Sequence, residues 1–148
     1  DLFPTIADLI GADLPSHTID GKSAVAVLNG RAGAKSPQDA YYFYYRKNDL
    51  EAIRWGDWKL HFPHSYRSMR DNPVGSGGFP GKYDYSVKTG LALYNLKDDP
   101  SESINVADKH PQVMKQIEAF AKGMRTELGD QLTDSQHSGQ RSVGIVED

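Results

Sequence analysis

The chain has 148 residues, 38% hydrophobic and 25% charged, with a net charge of −3. That length carries one compact core, and the balance excludes a coiled coil, a collagen-like chain and a global basic footprint for nucleic acid. It holds no cysteine, which removes disulfides, thiolate chemistry and most structural zinc sites together. No stretch approaches the roughly 20 apolar residues that span a bilayer.

The opening Asp1-Leu2-Phe3-Pro4 starts without Met and already inside a helical pattern, so it reads as an internal piece of a longer polypeptide. Leu2, Ile6, Leu9 and Ile10 recur at helical spacing, with Asp1 as N-cap and Gly11 as the stop. A short amphipathic helix must bury its stripe against something. After a loop, Ala24 to Leu28 reads as one or two helical turns ended by Asn29-Gly30, and residues 31–39 are a linker by composition. The division is thus residues 1–39, the end of a preceding region plus linker, and residues 40–148, a compact domain. Gly21-Lys22-Ser23 is not a phosphate loop, since position 16 is Ser and no strand leads in.

All eight tyrosines and both tryptophans lie between positions 41 and 94. Ala40 to Arg46 reads as a first strand whose aromatics pack on core and edge. Two further arms, about 51–55 and 58–62, flank Gly56-Asp57 as a hairpin. Ile53 and Trp55 alternate with Arg54, and Trp58, Leu60 and Phe62 alternate with Lys59 and His61, so one face goes to a core. Pro63 ends the pairing, since it has no N–H to give. His64, Tyr66 and Arg67 then stand on a loop, and a spacing of three along extended chain sends the rings of His61 and His64 to opposite faces. That, with no third ligand in view, argues against zinc. The glycine- and proline-rich run 63–90 reads as irregular. Leu91 to Leu96 is a fourth strand, closed by the turn at Asp98-Asp99. Pro111 starts a long helix whose Val113, Met114, Ile117, Phe120, Ala121, Met124 and Leu128 form one apolar stripe, and Gly129 stops it. Residues 130–148 form a polar tail in which Val143, Ile145 and Val146 could dock. The sum is an α+β fold: a small four-stranded antiparallel sheet with a long C-terminal helix packed on one face.

Five segments occur in an order and spacing that resemble one family. They are Asp1-Leu2-Phe3-Pro4-Thr5-Ile6, Asp20-Gly21-Lys22-Ser23, Ile53-Arg54-Trp55-Gly56-Asp57-Trp58-Lys59-Leu60, Leu93 to Glu102, and Asn105-Val106-Ala107. Together they resemble the C-terminal part of type I sulfatases of the arylsulfatase A and N-acetylgalactosamine-6-sulfatase kind, within the alkaline-phosphatase-like superfamily. The run His61 to Arg67 is similar to bacterial members.

The resemblance implies a sulfuric ester hydrolase about three times this length. A larger N-terminal catalytic domain would hold a formylglycine made from Cys or Ser in Cys/Ser-x-Pro-x-Arg, and a calcium that clamps the sulfate. Neither that motif nor an Asp-Asn-Gly occurs in this chain. The chain alone is therefore expected to lack catalytic and metal-binding residues and to be inactive.

What the resemblance leaves to this domain is a wall of the substrate pocket, with His61, His64, Tyr66 and Arg67 as candidate substrate-binding residues. Imidazole and guanidinium suit an anionic, hydroxyl-rich ligand, and Tyr66 could stack on a sugar. The partners implied are the N-terminal domain and a sulfated small molecule or glycan, with no nucleic acid and no membrane span. The apolar stripes of residues 1–30 imply self-association of the fragment, and the family implies a periplasmic or secreted enzyme. The alternatives are a stand-alone module binding sulfated or acidic glycans, or the tail of a related phosphonate or phosphodiester hydrolase.

Overall fold

A computed structural model describes residues 1–135 and 137–139. The chain divides into two compact units, Asp1–Asp39 and Ala40–Asp148.

In the first unit helix α1 (Leu2–Ile10) ends where Gly11 adopts a left-handed φ of 67°, and the short helix α2 (Val25–Leu28) follows a loop. Asp1 stands at the N-cap position without a side-chain cap bond. Its carboxylate instead accepts the Lys22 N–H at 2.9 Å and the Gln38 amide at 2.7 Å. Buried Thr5 does the local tying: its hydroxyl donates to the Asp1 carbonyl and accepts the Ala24 N–H. The buried side of α1 is Pro4, Thr5 and Ala7, whereas Leu2, Ile6, Leu9 and Ile10 are exposed. Gly21 passes so close to the helix start that a Cβ there would lie 3.0 Å from the Asp1 nitrogen.

The second unit holds strands β1 (Tyr41–Tyr45), β2 (Asp49–Trp55) and β3 (Trp58–His61), then β4 (His64–Ser68), β5 (Asp84–Thr89) and β6 (Ala92–Asn95). A 3-10 turn at Ala107–Lys109 precedes helix α3 (Pro111–Leu128). The main sheet is antiparallel in the order β1-β2-β3-β6. The β2–β3 hairpin turns at Gly56-Asp57 with Gly56 at φ 58° and Trp55 opposite Trp58, as the Gly-Asp pair requires. Leu50, Ile53, Leu60 and Leu93 are fully buried beneath Ile117 and Ala121 of α3. Phe120 meets Trp55, their ring centroids 6.3 Å apart. The fold is α+β, a four-stranded antiparallel sheet with one long helix on one face. Within the described residues no helix is long and apolar enough to cross a membrane.

One expectation about the elements is corrected. Residues 63–90 are not wholly irregular: β4 and β5 pair antiparallel as a separate two-stranded sheet. Their polar sequences escape hydrophobic periodicity because both faces are largely solvated. The start of the polar tail after Gly129 is also built into the fold at Asp130. Asp130 is fully buried, accepts the N–H groups of Leu50 and Leu132, and takes Arg125 Nε at 2.8 Å. Val143, Ile145 and Val146 lie outside the described residues.

Candidate functional site

Alternation along β3 sends Trp58 and Leu60 toward α3 and Lys59 and His61 to the sheet face that α3 leaves uncovered. Tyr94 of β6, paired with Lys59, shares that face. Glu102, from the segment after β6, closes the group. Its two carboxylate oxygens each take one partner at 2.7 Å, Lys59 Nζ on one and His61 Nε2 on the other. Lys59 also lies 4.9 Å from the centroid of the Phe43 ring, and His61 meets Tyr94 edge to face at 5.7 Å.

The expectation that His61 and His64 face opposite ways fails because the strand does not continue through them. Phe62 extends the ladder with an N–H bond to the Glu51 carbonyl and plunges into the core. Pro63 then breaks the chain direction, and β4 starts afresh at His64. The two imidazoles end up stacked, centroids 5.8 Å apart and 17° from parallel. His64 Nδ1–H donates to the Phe62 carbonyl at 2.7 Å, and Nε2 stands 3.5 Å from the Glu51 carboxylate. Glu51 is available because β2 bulges there: Phe43 pairs with Ala52 and Tyr44 with Leu50, leaving Glu51 over. The side chain of His64 is only 6% exposed, so it props His61 and presents little of itself to solvent.

Burial, and then the Lys59 ammonium, pull the pKa of His61 below its ordinary 6.5, against the opposing pull of Glu102. The ring is therefore a neutral donor through Nε2, which leaves Nδ1 as an acceptor. Burial pushes the Glu102 carboxyl up, but Lys59 and His61 outweigh it and hold it below 4.5 as an anion. Tyr94 is raised by burial and by Glu102. The assembly is an oriented imidazole and an ammonium held by one carboxylate, suited to hydrogen-bonding a polar ligand rather than to forming a bond with it.

Of the four sequence candidates, His61, His64 and Tyr66 come together, with Tyr66 6.2 Å from His64 and exposed. Arg67, next in β4, points to the other side of that strand, its guanidinium 4.9 Å from the Tyr83 ring centroid. Sequence reasoning missed Lys59, Glu102 and Glu51 as site residues. Lys59 had a signal, two positions before His61 on an alternating strand. Glu102 had one in the turn-rich segment Asp98 to Glu102. Glu51 had none, because a bulge leaves no mark on composition.

Among the described residues no group of three or more His, Asp or Glu converges as a metal site. The Cys/Ser-x-Pro-x-Arg segment that would carry a formylglycine does not occur in the sequence.

A family model described as the C-terminal region of aryl-sulfatase matches residues 36–143. An arylsulfatase from Hemicentrotus pulcherrimus is 42% identical over 152 residues, covering 91% of this chain and 27% of that protein. Bovine arylsulfatase A is 31% identical over 117 residues, 76% of this chain and 22% of the relative. The N-acetylgalactosamine-6-O-sulfatase of Bacteroides thetaiotaomicron is 27% identical over 132 residues, 85% of this chain and 23% of the relative. Among solved structures, one from work on glycosaminoglycan metabolism in Bacteroides thetaiotaomicron aligns with a TM-score of 0.61 at 26% identity, covering 86% of this chain and 24% of that one. The PsFucS1 sulfatase from Pseudoalteromonas aligns at 0.53 and 26% identity, covering 82% and 24%. The chain thus spans about a quarter of the length of the relatives it matches.

Proposed function

The chain belongs to the sulfatase family, as its C-terminal region, and from that premise we propose that it forms the substrate-selecting lobe of a sulfuric ester hydrolase. The catalytic formylglycine and the calcium would sit in an N-terminal domain, and the sheet face opposite α3 would complete the pocket for a sulfated small molecule or glycan. The observation that carries this reading is the Lys59–Glu102–His61 group. Its polar atoms are fixed in place by one another on the sheet face opposite α3, where the Lys59, His61 and Glu102 side chains are 17%, 19% and 27% exposed. A preformed donor and acceptor set loses little entropy when it takes up a ligand.

His61 would accept a hydrogen bond from a substrate hydroxyl at Nδ1, His64 would hold the His61 ring in place, and Tyr66 would cover a sugar face. The whole enzyme would then reside in the periplasm or outside the cell.

The lobe alone should not hydrolyse sulfate esters, because the Cys/Ser-x-Pro-x-Arg segment that would supply the nucleophile is not in its sequence. The test is release of 4-nitrophenol from its sulfate ester by the purified 148-residue chain. No release above the uncatalysed rate is expected; turnover that co-purifies with the chain and survives removal of contaminants would overturn the reading.

A further inference from the structure

The β4–β5 hairpin has a second face, turned away from His64 and Tyr66. Ser65 and Lys88 share it as cross-strand partners, and Arg67 follows Tyr66 where the pairing with β5 is irregular, its guanidinium set against Tyr83. Arg46 brings a third cation to the same strand, donating from Nη2 to the Ser65 carbonyl at 3.2 Å. No carboxylate neutralises Arg67 or Lys88 among the described residues. The one acid within β5, Asp84, spends its carboxylate on the N–H and hydroxyl of Ser86, and those bonds hold it ionised below its ordinary range.

Arg67 is also held in place. Its guanidinium lies against the Tyr83 ring, and Tyr83 in turn meets Tyr85, centroids 6.1 Å apart. A guanidinium against an aromatic face keeps its in-plane N–H groups for an oxyanion. No hydrogen bond or ion pair uses those groups in the described residues. Tyr85 is 64% exposed and offers a ring for stacking. The row Tyr85, Tyr83, Arg67, with Lys88 beside it, therefore combines unpaired cations with an exposed aromatic on an otherwise acidic chain.

We propose that this face, through Arg67, Lys88 and Tyr85, is a second binding site that holds the non-reacting, anionic sugar residues of a sulfated oligosaccharide. Cations select the sulfate and carboxylate groups, and the tyrosine takes a pyranose face that inorganic sulfate lacks. The ligand's standing as substrate rests on the function proposed above; the site itself does not. Binding energy from a remote part of a substrate adds to affinity without touching the reacting bond.

The experiment is calorimetric titration of the 148-residue chain, at low salt, with a sulfated glycosaminoglycan hexasaccharide, its desulfated counterpart, inorganic sulfate and a single-stranded DNA of equal charge. The sulfated sugar should bind in preference to the other three, with an affinity that falls as salt rises. The double variant Arg67→Gln/Lys88→Gln should weaken it at least about tenfold, and Tyr85→Ala should weaken it severalfold. Lys115→Gln/Lys122→Gln, which removes equal charge from the exposed side of α3, should leave it unchanged. Should the first double variant unfold, Lys88→Gln alone carries the test with a smaller expected loss. Undiminished binding by a folded hairpin variant, equal binding of the desulfated sugar, or DNA binding as tight as the sugar would each overturn the proposal. These readouts are independent of His61, so a failed titration and a failed pocket assignment can be told apart.

Discussion

Asp130 shows how much one carboxylate can organise. Fully buried, it closes the end of α3 onto the start of β2 by accepting two backbone N–H groups and the Arg125 guanidinium, which itself lies 4.5 Å from the Phe62 ring centroid. Asp130→Ala would strand those donors in the interior and should cost about 3 kcal/mol, measurable by urea unfolding. A loss within error of zero would mean that water replaces the carboxylate. His61 sets a second residue-scale expectation. Its folded ring takes a proton only below the ordinary 6.5, so on acidification the unfolded chain protonates first. Its contribution to stability is therefore full above pH 6.5 and lost as pH falls through the depressed folded value. Glu102, held below 4.5, loses its contribution in the same direction at lower pH. Thermal melts of His61→Gln should show a shallower loss of stability just below pH 6.5 than the parent chain. Parallel curves would contradict that account.

At the scale of elements, the hairpin and the long helix were legible because their patterns are strong. Ile53, Trp55, Trp58, Leu60 and Phe62 alternate around Gly-Asp, and Val113 to Leu128 repeat at helical period between Pro111 and Gly129. The strands β4 and β5 were not, since His-Ser-Tyr-Arg-Ser and Asp-Tyr-Ser-Val-Lys-Thr carry no alternating apolar stripe and place no residue in the hydrophobic core. The meeting of His61 with His64 was hidden for a related reason: Pro63 resets the alternation, and spacing rules assume an unbroken strand. Helix α1 presents the opposite case, a clear apolar stripe whose Leu2, Ile6, Leu9 and Ile10 stay exposed. An uncovered stripe of this kind drives association. Sedimentation of the chain at high concentration should show dimers or larger species, and Ile6→Glu/Ile10→Glu should return it to monomer; a clean monomer at the outset would contradict this.

At the scale of the whole molecule, the second unit is the part that carries the chemistry-bearing side chains, on sheet surfaces that α3 does not use. The sheet, through its buried leucines and the cover of Ile117, supplies the stability. The Lys59–Glu102–His61 group supplies a fixed polar surface that hydrogen-bonds but does not attack. A lobe of that kind should act on ground-state recognition, raising or lowering KM, and leave the bond-breaking step to residues elsewhere. The measurement that addresses this most directly is steady-state hydrolysis of a sulfated sugar by the full-length enzyme, with and without His61→Gln. The account predicts a KM about tenfold higher, the worth of one lost hydrogen bond, with kcat within about twofold of the parent. A collapse of kcat at unchanged KM, or no change in either, would contradict it.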